Sequence, residues 1–142
     1  MKRLPKITLR RRPPWCEWEY DVICMLAGGI GYGLLEVLWR GYTHISMVIT
    51  GGICLTAICF IHRKMTRTPF LFRCLLCTAF VIAAEFLVGL LVNRILHLHV
   101  WDYSDSRFHL LGQICLEFSF IWFFLCLLVS LAMSLAFRKE RV

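Results

Sequence analysis

Apolar residues gather along this chain in four long blocks, at about residues 20–38, 44–61, 70–92 and 110–137, parted by short polar or basic intervals. A hydrocarbon core about 30 Å thick takes about 20 residues of helix to cross. Each block therefore predicts one membrane-spanning helix. The second is near the short limit, and the fourth has residues to spare, which predicts tilt or overhang into the interface. Only Trp39–Thr43 parts the first two blocks, so those helices must be antiparallel neighbours. The interval His62–Pro69 is also short, whereas Asn93–His109 is the one long connection. The expected fold is all-α: a four-helix transmembrane bundle over residues 20–142, preceded by a basic tail at 1–19.

Composition agrees with the pattern. The chain is 59% hydrophobic and only 18% charged, which excludes both an ordinary soluble domain and a disordered one. Its 142 residues leave no room for a soluble catalytic domain beside the membrane domain. The net charge of +7 comes from cations clustered at the ends and between apolar blocks. That distribution points to a lipid bilayer and away from a nucleic-acid partner.

Orientation follows from the same cations. With both termini cytoplasmic, the inner segments hold Lys2, Arg3, Lys6, Arg10, Arg11, Arg12, Arg63, Lys64, Arg67, Arg73, Arg138, Lys139 and Arg141. The outer loops hold Arg40, Arg94 and Arg107. This asymmetry is a positive-inside signal and predicts a multi-pass plasma-membrane protein. The arginine cluster beside Trp15 and Trp18 suits an anionic inner leaflet and an interfacial aromatic belt. The first block is not a cleaved signal peptide, being too long, lacking a small-residue cleavage site and containing Gly29, Gly31, Gly33 and Glu36. Cys24, Cys54, Cys59, Cys74, Cys77, Cys115 and Cys126 fall within the blocks and Cys16 in the tail, so they read as reduced packing residues.

Three carboxylates change the picture. Glu36, Glu85 and Glu117 each lie inside an apolar block. An ionised carboxylate at the bilayer centre costs about 3 kcal/mol even on lenient insertion scales, so such residues are paired, protonated or line something polar. Helical rise places Glu85 roughly 12 Å and Glu117 roughly 10 Å below the outer ends of their spans, with Glu36 about one turn down. All three then fall in the outer half of the bilayer, which favours one shared site. Gly29 and Gly33 form a GxxxG pair whose stripe continues to Glu36 and Arg40, turning Glu36 towards the bundle. Cys74, Thr78, Glu85 and Gly89 share the most polar face of the third span, and Gln113 stands one turn before Glu117 in the fourth.

A structural role stands beside the functional one. Glu36 and Arg40 have i,i+4 spacing and suit a local ion pair. Glu85 and Glu117 could fix helix register through hydrogen bonds to Gln113, a hydroxyl or each other. His97, His99, Asp102, Asp105 and His109 enrich the long loop without a fixed metal-ligand spacing, and Trp101 and Tyr103 suit headgroup anchoring. Cys74 and Cys77 have CxxC spacing but sit at the start of an apolar span, where packing is the plainer role. No phosphate loop, GxSxG elbow or HExxH helix occurs, so no cofactor is expected and any ATP hydrolysis would come from another chain. A short internal similarity, Gly52-Ile53-Cys54-Leu55 against Gln113-Ile114-Cys115-Leu116, suggests a parallel repeat but is no longer than chance allows.

Two strings carry a resemblance. The first runs from Gly31 to His44 (GYGLLEVLWRGYTH), followed by Ser46-Met47 and Gly51-Gly52. The second is Trp101-Asp102-Tyr103-Ser104 with Phe108 and Leu111 to Leu116. Together they resemble a small bacterial membrane-protein family named Putative ABC-transporter type IV, over about residues 20–137. This chain corresponds to a single four-span unit, shorter than members that add further spans. The resemblance implies a polytopic permease-type protein and marks Glu36, Arg40, His44, Trp101, Asp102 and Gly112 as motif positions. The functional expectation is an outward-facing polar pocket formed by Glu36, Arg40, His44, Glu85, Trp101, Asp102 and Glu117, taking a small polar or cationic ligand. The alternatives are a membrane enzyme using paired carboxylates and a non-catalytic accessory subunit. Self-association, or a separate membrane or ATPase subunit, is the expected partnership.

Overall fold

The computed structural model describes residues 14–139, with side chains described over 17–135. The cations expected at Lys2, Arg3, Lys6, Arg10, Arg11, Arg12 and Arg141 lie outside the described residues. Four helices dominate: α1 (Pro14–Arg40), α2 (Ile45–Lys64), α3 (Phe70–Gly89) and α4 (Leu116–Lys139). A π-helical stretch, Leu90–Ile95, extends α3, and a short antiparallel hairpin of β1 (His109–Leu110) and β2 (Ile114–Cys115) precedes α4. All four helices are long and apolar enough to cross a membrane, as the four blocks predict.

Local chemistry sets the boundaries. Pro14 can open α1 because the first turn has no use for its missing N–H. Glu17 in the first turn and Arg40 in the last complement the helix dipole. Gly41, at φ +81°, ends α1 by donating its N–H to Val37 O at 2.8 Å. His44 then N-caps α2 through Nδ1, which accepts from the Ser46 N–H at 3.2 Å. His62, Arg63 and Lys64 close the last turn of α2.

Three expectations need correction. The first helix begins at Pro14, so part of the expected tail, including Cys16, is helical. The fourth helix begins at Leu116 instead of near residue 110, because Gln113–Cys115 belongs to the hairpin. Gln113 and Glu117 therefore do not share a helical face, and Cys115 lies in β2. The internal similarity also dissolves, since Gly52–Leu55 is mid-helix while Gln113–Leu116 is turn, strand and helix start.

Helices α1 and α2 make the closest pairing in the bundle. Gly29 and Gly33 both face Val48, as the GxxxG spacing predicts. The helices approach still more closely one position over, where a Cβ added to Gly28 would lie 2.5 Å from Gly51 O. Away from this seam, Cys54 and Ile58 of α2 pack on Cys77 and Val81 of α3 and Cys126 of α4. A second cluster, Met47, Val92, Val100 and Trp101, sits where the long loop folds over the helix ends. The seven cysteines whose side chains are described are free and buried. Large apolar side chains such as Leu38, Ile45, Leu87 and Leu128 point outward, as a lipid-facing surface requires.

Candidate functional site

Residues Tyr32, Leu35, Glu36, Trp39 and Arg40 recur at three- and four-residue intervals, so they form one stripe on the last turns of α1. That stripe walls a cavity of about 410 Å³. Glu85 of α3, Trp101–Tyr103 of the long loop, and Phe118, Ile121, Trp122 and Leu125 of α4 complete the lining. Helix α1 meets α4 here through aromatic side chains: Tyr32 stacks on Trp122 at 5.3 Å, and Trp39 meets Phe118 edge-on at 6.3 Å.

Glu85 is buried on this wall, with 5% of its surface exposed. Its Oε1 accepts from Tyr32 Oη at 2.8 Å, and its Oε2 accepts from Trp122 Nε1 at 2.6 Å. Indole nitrogen can only donate, so at least one bond requires Glu85 as acceptor. The two bonds tie α1, α3 and α4 together through a single carboxyl group. Among the described residues no Lys, Arg or His comes within ion-pair distance of it.

Glu36 is committed differently. It forms an ion pair with Arg40 one turn on, and its Oε2 accepts from Thr43 Oγ1 at 2.5 Å. Arg40 Nη1 donates to Val100 O at 3.2 Å, and its guanidinium lies 5.5 Å from the centre of the Tyr42 ring. One arginine thus neutralises the acid on its own helix and pins the long loop to α1.

The Trp-Asp-Tyr-Ser string closes the cavity. Trp101 Nε1 donates to Gln113 O at 2.9 Å. Asp102 Oδ1 accepts from Ser104 N at 2.9 Å and from Ser104 Oγ at 2.5 Å, making a tight side-chain turn. These bonds hold the Asp102 carboxyl below its ordinary value. Tyr103 donates its N–H to Gly112 O at 2.8 Å and stacks on Phe118 at 4.8 Å. Burial pushes its hydroxyl up, so it stays protonated. Gly112, at φ +70°, is required twice over: a Cβ there would lie 2.6 Å from both Asp102 Oδ1 and Ser104 Oγ. Behind the loop, Asn93 Nδ2 donates to Gln113 Oε1 at 2.8 Å, while Asn93 Oδ1 accepts from Val100 N at 2.7 Å.

Five of the seven residues singled out from sequence line the cavity: Glu36, Arg40, Glu85, Trp101 and Asp102. His44 does not line it, being occupied in capping α2. Glu117 stands exposed in the first turn of α4, outside the lining. Its expected depth assumed a helix starting near residue 110, and the hairpin removes that depth. Sequence reasoning missed the aromatic lining residues Tyr32, Trp39, Tyr103, Phe118 and Trp122, and the aliphatic Leu35, Ile121 and Leu125, as site members. Tyr32 carried a signal, lying one turn before Glu36 on the same stripe. Trp122 carried none, because aromatic residues are common on α4. Among the described residues no group of three or more His, Cys, Asp or Glu side chains is placed to hold a metal ion.

Fold and composition define a polytopic helical membrane protein with a mainly aromatic cavity, holding Glu36, Arg40, Glu85 and Asp102, at one end of its bundle. The family model named Putative ABC-transporter type IV matches residues 36–140, and the chain belongs to that family. It is accordingly a multi-pass membrane protein of that family. The match spans Glu36, Arg40, His44, Trp101, Asp102 and Gly112, the motif positions that the resemblance marks, while Gly31–Leu35 of the first string precede it. No solved structure matches the chain.

Proposed function

We propose that the protein is a permease-type membrane subunit whose cavity opens outward and binds a small polar or cationic ligand. The observation that carries this reading is Glu85, buried on the cavity wall and held by Tyr32 and Trp122 without a cation of its own. A cavity of about 410 Å³ falls within the usual range for small-molecule sites. Both termini would be cytoplasmic in the plasma membrane, following the distribution of Lys and Arg. A basic tail would precede a single four-span domain. Energy for transport would come from a separate ATPase subunit, as the family's name suggests, and self-association would use a face other than the α1 and α2 glycine seam, which is filled within the chain.

The competing reading is an accessory subunit whose acids only fasten helices. It is favoured by the bonds that commit Glu36 to Arg40 and Thr43, and Glu85 to Tyr32 and Trp122. A thermal-shift panel of small polar and cationic molecules on the purified full chain, with Glu85→Gln beside it, separates the two. A ligand-dependent shift lost in Glu85→Gln supports binding. If no molecule shifts the wild type and a folded Glu85→Gln keeps every phenotype, the cavity is not a site.

A further inference from the structure

Resting on that reading, we infer that the cavity takes an alkylammonium cation, with a methylated nitrogen preferred over a primary amine. Charge decides the sign of the ligand. Within the lining, Arg40 is the only cation and is already paired with Glu36. Glu85 receives two neutral donors, and Asp102 at the rim is ionised and solvated. The lining thus holds three acids against one cation, a balance that favours a cationic ligand over an anion.

Hydrogen-bonding capacity decides the kind of cation. Both Glu36 oxygens and both Glu85 oxygens already accept bonds from the protein. A primary ammonium brings three N–H donors that each need an acceptor, and unmet donors are costly to bury. A quaternary ammonium brings none. It needs diffuse negative charge and ring faces, which is how aromatic cages recognise methylated ammonium groups.

The rest of the lining supplies that environment. Tyr32, Trp39, Trp101, Tyr103, Phe118 and Trp122 all border the cavity. The Tyr32–Trp122 stack is fixed by its two bonds to Glu85, and Tyr103 is fixed on Phe118 at 4.8 Å. Rings held before binding lose little freedom when a ligand arrives. The backbones of α1 and α4 hardly approach each other, and Leu35 and Ile121, both about half exposed, border the cavity between them. The cation can therefore be a soluble molecule or the choline headgroup of a lipid.

The test titrates the full chain in maltoside micelles and follows tryptophan fluorescence. The probes are tetramethylammonium, methylammonium, choline and its neutral isostere 3,3-dimethylbutan-1-ol. Tetramethylammonium and choline are expected to bind about tenfold more tightly than methylammonium and the isostere. Glu85→Gln is expected to weaken them by about the same factor. Trp39→Leu, at an exposed position, is expected to weaken tetramethylammonium about tenfold while lowering the unfolding temperature only by the small worth of the lost Phe118 contact. Equal binding of choline and its isostere overturns the cation assignment but leaves a binding cavity. Equal binding of methylammonium overturns the preference for methylated nitrogen. No response to these probes, with a shift from another molecule of the polar panel, sinks this inference alone, whereas silence across the panel removes the site itself. In nanodiscs, loss of the choline response in phosphatidylcholine but not in phosphatidylglycerol assigns the headgroup as ligand. An equal response in both assigns the soluble cation.

Discussion

Gly51 couples the helix seam to the cavity, and its replacement by alanine is the sharpest test of the architecture. An added Cβ at Gly51 would lie 2.3 Å from Tyr32 Cβ and 2.8 Å from Gly28 O. Carbon contacts settle at about 3.5–4.0 Å, so α1 and α2 must part by roughly 1 Å. Neither neighbour is the far end of a flexible chain, so rotamer changes offer no relief. Overpacking of this kind costs about 1–3 kcal/mol. Displacing Tyr32 also strains its bond to Glu85, and leaving a buried polar group unsatisfied costs about 1–3 kcal/mol. Alanine returns about 1 kcal/mol through helix propensity. The net loss is on the order of 2–4 kcal/mol, or a fall in Tm of roughly 7–13 °C for a chain of this size. Gly31→Ala is the internal control, because nothing lies within 4 Å of its added Cβ. Thermal unfolding in micelles should show Gly31→Ala at or slightly above the wild type and Gly51→Ala well below it. If Gly51→Ala melts with Gly31→Ala, the helices are not packed as closely as described and Tyr32 is not positioned by the seam.

Tyr32→Phe removes only the hydroxyl that bonds Glu85 and should cost about 1–3 kcal/mol by thermal unfolding; an unchanged Tm would show that the bond contributes nothing. Arg40→Met leaves buried Glu36 without its cation and should destabilise by about 3 kcal/mol. Adding Glu36→Gln should recover part of that loss in a double-mutant cycle, and strict additivity would refute the coupling. Gly112→Ala forces a side chain into a left-handed conformation costing about 1–2 kcal/mol and pushes on the Asp102 turn, so protease cleavage in residues 101–112 should become faster. The lowered Asp102 value means that its turn is fully formed above the ordinary aspartate value of 3.8 and is lost as pH falls below it, through the lower folded value. The Ser104 amide shift should therefore hold steady down to that ordinary value and change only below it, and Asp102→Asn should abolish the titration.

Sequence by itself determined the number of spans, the antiparallel first pair and the membrane character, because a bilayer imposes one length and one polarity on every crossing. It also singled out Glu36, Arg40 and Glu85, since an intramembrane charge is rare enough to be noticed wherever it falls. The pairing of Glu36 with Arg40 was legible too, as i,i+4 spacing is a property of one helix. Partners from other helices were not. Nothing along the chain links Tyr32 and Trp122 to Glu85, because those bonds exist only once three helices are packed. The boundary of α4 was illegible for a related reason: residues 110–115 are apolar enough for a helix, yet Gly112 turns back on Asp102 and makes a hairpin of them. That turn took Gln113 out of the fourth span and Glu117 out of the cavity, leaving Glu85, among the described residues, as the one buried acid without a cation. Hydrophobic periodicity reports which residues leave water, and tertiary packing alone decides which polar groups then meet.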